Sequence, residues 1–176
     1  MIGKGTAARV LACGLACVLA SALQADAALA ARKTRSAAAG GIALRAAMEM
    51  IGVPYSWGGG GVNGPGYGIG KGAGTMGFDC SGLTEYAYAR AGAAIGTTSQ
   101  EQWRSGMRVP KELIEPGDLV FFDNDPDSPG PEHVGIAVDA ATMVHAPYTG
   151  AFVRTDPLDR ADFLGAVRPG VGRTEG

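Results

Sequence analysis

Covalent chemistry in this chain could come from one cysteine and two histidines. Cys80 stands in the stretch Gly77-Phe78-Asp79-Cys80-Ser81-Gly82-Leu83, and His133 and His145 are the only histidines among 176 residues. Asp79 is a helix N-cap type, and the run from Thr84 to Ala89 reads as helix up to a stop at Gly92. Cys80 then falls in the first helical turn. Unpaired backbone N–H groups and the positive end of the helix dipole favour a thiolate there. Such a thiolate becomes a useful nucleophile when a base and a site for the developing oxyanion lie close by. A solitary cysteine is otherwise a small buried side chain.

The histidines supply the base. Glu132 to Asp139 and Thr142 to Ala146 read as two strands joined by a tight turn at Ala140 and Ala141. His133 and His145 then lie on neighbouring strands, roughly opposite each other. One can take the thiol proton while the other fixes its tautomer and orientation. Taken singly, each is an ordinary strand histidine. A histidine pair can also hold metal, but no third and fourth ligand accompanies it, and no cofactor is expected.

The surrounding elements must position these groups. Ile42 to Ile51 carries apolar residues at helical spacing, and Gly52 and Pro54 end it. Glycine dominates from Gly58 to Gly77 and lacks the layout of a phosphate-binding loop. The flanking Tyr55, Trp57, Tyr67 and Phe78 favour a cleft wall, with a mobile rim, over disordered filler. Thr98 to Gly106 reads as a short helix. Strands follow at Asp118–Phe122, at the histidine hairpin, at Ala151–Thr155 and at Phe163–Val167. Helices first and strands afterwards mean α+β with an antiparallel sheet.

The N-terminal part reads differently. Lys4 and Arg9 precede an uncharged apolar run from Val10 to Leu23, and Ala25-Asp26-Ala27 offers a cleavage pattern. Residues 1–27 are therefore expected to be a secretory signal peptide. The run is shorter than the roughly 20 residues that span a bilayer, which disfavours an uncleaved anchor. Too little apolar sequence precedes Cys13 for a lipoprotein reading. Residues 28–40 are expected to be a linker, 41–170 the catalytic domain and 171–176 a tail. Cleavage would take away Cys13 and Cys17 and leave Cys80 without a disulfide partner. The chain's formal charge of −2 would become about −3, with no basic block, so nucleic acid is not an expected partner. A secreted, wall-associated protein without stable membrane insertion is expected, with a monomer favoured.

The ordered pieces resemble the NlpC/P60 cysteine peptidases, a papain-like group that cuts bacterial cell-wall peptides. They are Pro54-Tyr55-Ser56-Trp57-Gly58-Gly59, Phe78-Asp79-Cys80-Ser81-Gly82-Leu83, Pro116-Gly117-Asp118-Leu119-Val120-Phe121-Phe122, His133-Val134-Gly135-Ile136 and Met143-Val144-His145-Ala146. The resemblance runs from about Ile42 to Pro169. It implies a papain-like α+β fold with the cysteine helix packed on an antiparallel sheet. It also implies Cys80 as nucleophile, His133 as base and His145 as the polar third residue. Tyr55 matches a residue that helps hold the oxyanion, and Asp79 and Ser81 match substrate-pocket positions. The implied substrate is the stem peptide of peptidoglycan, cut between γ-D-glutamate and a diamino acid. Two departures stand out. The Gly58–Phe78 run is longer than in the shortest members, and Gly96-Thr97-Thr98 stands where the family often carries Pro-Arg.

Other readings are a wall amidase or acyltransferase using the same triad, a catalytically silent wall-binding module, and an exported structural protein. Intact Cys80, His133 and His145 disfavour the silent module. Product analysis separates the two enzyme classes.

Overall fold

The computed structural model describes residues 7–170 except 124, 126 and 128, and of residues 7–23 the backbone alone. Its elements are α1 (Ala7–Met48), β1 (Gly66–Tyr67), β2 (Met76–Gly77), α2 (Cys80–Arg90), α3 (Ser99–Gln102), β3 (Gly106–Val109), β4 (Leu119–Phe122), β5 (His133–Ala137), β6 (Thr142–His145), β7 (Arg154–Pro157) and β8 (Phe163–Pro169). The chain divides into two units, Met1–Arg35 and Ser36–Gly176. Within the second, β3-β8-β4-β5-β6-β7 form one six-stranded sheet. All its pairings are antiparallel. The expected α+β architecture is therefore present.

Helix α2 starts where the sequence signals it. Asp79 is extended at ψ −178°, and its carboxylate accepts the Gly82 N–H. The helix stops at Gly92, whose φ of +72° suits glycine. Between those ends α2 packs on β5 and β6. Leu83, Ala87 and Tyr88 meet Leu119, Phe121, Val134, Ile136 and Val144 in the larger core. Strand alternation sends Val120, Phe122, Ala137 and Met143 to a second core with Leu158 and Ala166. Each such large side chain contributes roughly 1.5–3 kcal/mol on burial. The buried Tyr88 hydroxyl donates to the Gly117 carbonyl at 2.5 Å and ties α2 to the turn before β4.

Several expectations need correction. Residues 28–40, expected as a linker, are helical and part of α1. Alanine is the strongest helix former, and this stretch is rich in it. The helix expected over Ile42–Ile51 ends at Met48. The second unit begins inside the supposed linker: Ser36 Oγ donates to the Pro169 carbonyl at 2.5 Å. Gly117 lets α1 approach the turn before β4, since a Cβ there would stand 2.4 Å from the Gly40 carbonyl. β3 occupies a stretch whose first residue closed the expected helix Thr98–Gly106. β7 begins three residues later than the expected strand at Ala151. Residues 1–6 of the expected signal peptide and the expected tail, 171–176, lie outside the described residues. Among the described residues no helix is long and apolar enough to cross a membrane.

Candidate active site

The glycine run is built against the segment before it. β1 and β2 pair as a small antiparallel ribbon. The buried Ser56 hydroxyl lies 3.1 Å from the Gly72 carbonyl and 2.7 Å from that of Thr75. A Cβ at Gly77 would fall 1.9 Å from the Pro54 carbonyl, and one at Gly68 would fall 2.1 Å from that of Trp57. These glycines serve close backbone contact. The resulting lobe brings Ile69 and Lys71 to a cleft of about 770 Å³, whose lining also includes Tyr55, Trp57, Cys80, His133 and His145.

Cys80 is the first residue of α2, at the cleft. Its sulfur lies 3.9 Å from the Glu132 carbonyl. The Val134 N–H, by contrast, favours its charged form, as do those of Ser81 and Cys80 itself. Glu132 and Val134 flank His133, so the sulfur rests against the backbone at the base. Burial nevertheless pushes the thiol up to about 12, and the charge of Asp79 pushes the same way. Both influences favour the neutral thiol, opposite in direction to the helix-terminus expectation of a ready thiolate.

The two histidines meet directly, with His133 Nε2 and His145 Nδ1 2.7 Å apart. They are diagonal neighbours, a refinement of the expected opposite placement. β5 and β6 pair Ile136 with Val144 and Ala137 with Met143. Continuing that register puts Gly135 opposite His145, and a Cβ on Gly135 would lie 3.2 Å from the His145 Cβ. The missing side chain leaves His133, two residues back, room to lean across. His145 is buried. Burial holds His133 down to about 3, helped by His145 and Arg160 and opposed by Asp162 and Asp156. Burial also lowers His145, against the opposing effect of its hydrogen bond to Asp156. Both rings are neutral at pH 7, and His133 Nδ1 is the atom left for the cysteine.

Tyr55 lines the same cleft and is mostly buried. Burial, then the charges of Cys80 and Asp79, raise its phenol well above the ordinary range, so it stays a donor. Asp79 and Ser81 are placed differently. Asp79 Oδ1 accepts the Gly82 N–H at 2.7 Å and the Ser81 hydroxyl at 3.1 Å, while Oδ2 accepts the Gly58 N–H at 3.0 Å. They join the helix start to the glycine lobe, and neither lines the cleft.

Sequence reading missed Asp156 and Arg154. Asp156 Oδ2 lies 3.0 Å from His145 Nε2. Arg154 holds the same carboxylate through Nε at 3.0 Å and Nη2 at 2.8 Å. The available signal was an Arg-x-Asp pair, opposite charges two residues apart and hence on one face of a strand. Among the described residues, no group of three or more His, Cys, Asp or Glu side chains is arranged to hold a metal ion.

Comparison with known proteins places this site in context. The NlpC/P60 family model matches residues 52–165. The chain is 41% identical over 115 residues to the peptidoglycan endopeptidase RipA of Mycolicibacterium smegmatis, covering 65% of this chain and 22% of RipA. It therefore spans about a fifth of that relative's length. The solved structure of the peptidoglycan hydrolase RipB from Mycobacterium tuberculosis superposes with a TM-score of 0.69 at 36% identity, over 77% of this chain and 66% of that one. RipD from Mycobacterium tuberculosis, described as a non-catalytic NlpC/p60 domain protein adapted to peptidoglycan binding, gives 0.66 at 31% identity, over 74% and 96%. Cys80, His133 and His145 all fall inside the matched span, and the chain belongs to the NlpC/P60 family.

Proposed function

We propose that the protein is a cysteine endopeptidase that hydrolyses peptidoglycan stem peptides outside the cytoplasm, after export directed by residues 1–27. The observation that carries this reading is the 2.7 Å contact between His133 and His145 in the cleft that holds Cys80. A binding-only domain such as RipD is described to be has no use for a thiol, a neutral imidazole and an orienting partner in one cleft. Relatives named peptidoglycan endopeptidases support the substrate class.

In this mechanism the Cys80 thiol gives its proton to His133 Nδ1 as the sulfur attacks the amide carbonyl. The Cys80 N–H and the Tyr55 hydroxyl stabilise the oxyanion, each worth about 3 kcal/mol in the transition state. His133 then protonates the leaving amine and activates the water that releases the thioester. We assign the scissile bond to γ-D-glutamyl–diamino acid on the family resemblance.

The test is digestion of purified muropeptides followed by mass spectrometry. Fragments ending in D-glutamate are expected, and none from Cys80→Ala. Cleavage between the lactyl group and L-alanine would make the protein an amidase. Binding without any product would make it a module of the RipD kind.

A further inference from the structure

The catalytic reading places a demand on His133 that the histidine pair alone does not meet. The contact between His133 Nε2 and His145 Nδ1 can run in two directions. If His133 Nε2–H donates, its Nδ1 carries a lone pair and can take the thiol proton. If His145 Nδ1–H donates, His133 holds its own proton on Nδ1 and presents no base to the cysteine. A neutral imidazole has one donor and one acceptor, so a group beyond the pair must choose.

Asp156 is that group. A carboxylate only accepts, so His145 Nε2, 3.0 Å from Asp156 Oδ2, must carry the proton. His145 Nδ1 is then a lone pair, His133 Nε2–H donates to it, and His133 Nδ1 is free. We propose that Asp156 is a positioning residue that sets the tautomers of both histidines, with Arg154 holding it in place. This rests on the catalytic reading above and extends it by one residue.

The fold builds the relay as a diagonal row across three strands. In β6–β7 the register pairs His145 with Arg154 and Met143 with Asp156. Asp156 therefore reaches His145 from the diagonal position, as His133 does from β5. Arg154 sits directly opposite His145 and two residues from Asp156, on the same face. Its guanidinium grips the carboxylate at 2.8–3.0 Å. That grip, with the His145 bond, holds Asp156 below the usual carboxylate range and keeps it an acceptor through the working pH range. When the thiol proton arrives at His133 Nδ1, the ring becomes imidazolium with Nε2–H still donating. No further proton moves, and Asp156 remains ionised throughout.

The experiment uses the full chain labelled with 15N in histidine, with long-range proton–nitrogen NMR correlation at pH 7.5. The wild type is expected to show His145 and His133 both protonated on Nε2. Asp156→Asn can donate as well as accept, so His145 should shift in part to the Nδ1–H form. Muropeptide turnover by that variant should fall about 100-fold in kcat, with KM within about threefold and an unchanged melting temperature. Asp156→Glu should recover part of the loss.

The pH–rate profile is read against the other groups facing the relay. These are Arg160 and Asp162 beside His133, Arg154 and Arg160 beside His145, and Asp79 beside Cys80. Glu132, Lys71 and Tyr148 line the same cleft. Apart from Arg154, which loses its carboxylate partner but stays charged, none of them changes in Asp156→Asn, so a changed acid limb belongs to the relay. Nδ1–H on His145 in the wild type would overturn the proposal, as would wild-type kcat in Asp156→Asn. The expected tautomers in a wild type that cleaves no muropeptide would uphold the relay and refute the catalytic reading instead.

Discussion

Acidification should destabilise this fold through His133, by an amount the structure lets one work out. The ring's ordinary value is 6.5, and burial beside His145 holds it at about 3. Below pH 6.5 the unfolded chain takes up a proton that the folded chain refuses. Stability from the neutral ring is therefore complete above the unfolded value and is lost as pH falls towards about 3. At roughly 1.36 kcal/mol per pH unit, the whole span is worth about 5 kcal/mol, and the part lost by pH 5 is about 2 kcal/mol. His133→Gln keeps a polar side chain and removes the titration. Urea unfolding of both proteins at pH 7.5 and pH 5 isolates the effect, because His145 and the carboxylates are common to both. The wild type should lose about 2 kcal/mol more than the variant over that interval. Equal losses would mean that folded His133 titrates near its free value. It would then be half protonated at pH 6.5 and no longer a base kept neutral by burial.

Two further outcomes follow from the geometry. Alkylation of Cys80 by iodoacetamide should keep rising with pH through pH 9, without a plateau near neutrality, because burial and Asp79 hold the thiol up to about 12; a plateau near pH 7 would restore the ready thiolate. Gln102→Leu should cost about 3 kcal/mol in urea unfolding, because the fully buried amide donates to the carbonyls of Ser81 and Gly96 and meets the Thr84 hydroxyl at 2.6 Å. A cost under about 1 kcal/mol would show that water or rotamer changes replace those bonds.

The parts of the fold that were legible in the sequence are those where one residue type has one local job. Asp79 caps α2 and Gly92 ends it. Asp139 accepts the N–H groups of Ala141 and Thr142 at 2.7 and 2.8 Å, which closes the turn between the histidine strands. The central strands β4, β5 and β6 read as apolar runs because both their faces are covered. The edges did not read. β3 is largely exposed and only four residues long, too short for the alternation of Met107, Arg108 and Val109 to stand out. β7 alternates half-buried and exposed residues and ends in Pro157, which signals a stop although an edge strand tolerates it. Asp156 was hidden with β7, since its role depends on a diagonal contact that only a register supplies. The glycine run was legible only in part. Glycine's freedom suggested a mobile rim, and composition did not reveal that at Gly68 and Gly77 the lack of a side chain also permits close backbone contact.

The reversal at Cys80 explains why the relay matters. A helix N-terminus offers about half a positive charge, spread over its unpaired N–H groups. Here those groups are partly occupied by the cap itself. Asp79 binds the Gly82 N–H and brings a full negative charge next to the sulfur. A capped N-terminus is therefore a poor anion site, and the residue that starts the helix suppresses the thiolate it would otherwise stabilise. The remaining N–H groups of Ser81, Val134 and Cys80 do not offset burial. An uncharged thiol reacts as a nucleophile only if its proton leaves during attack, to a neutral acceptor aimed at it. His133 meets the first condition through burial. It meets the second only if its proton sits on Nε2, which is what a row running through His145 to an arginine-held carboxylate would enforce.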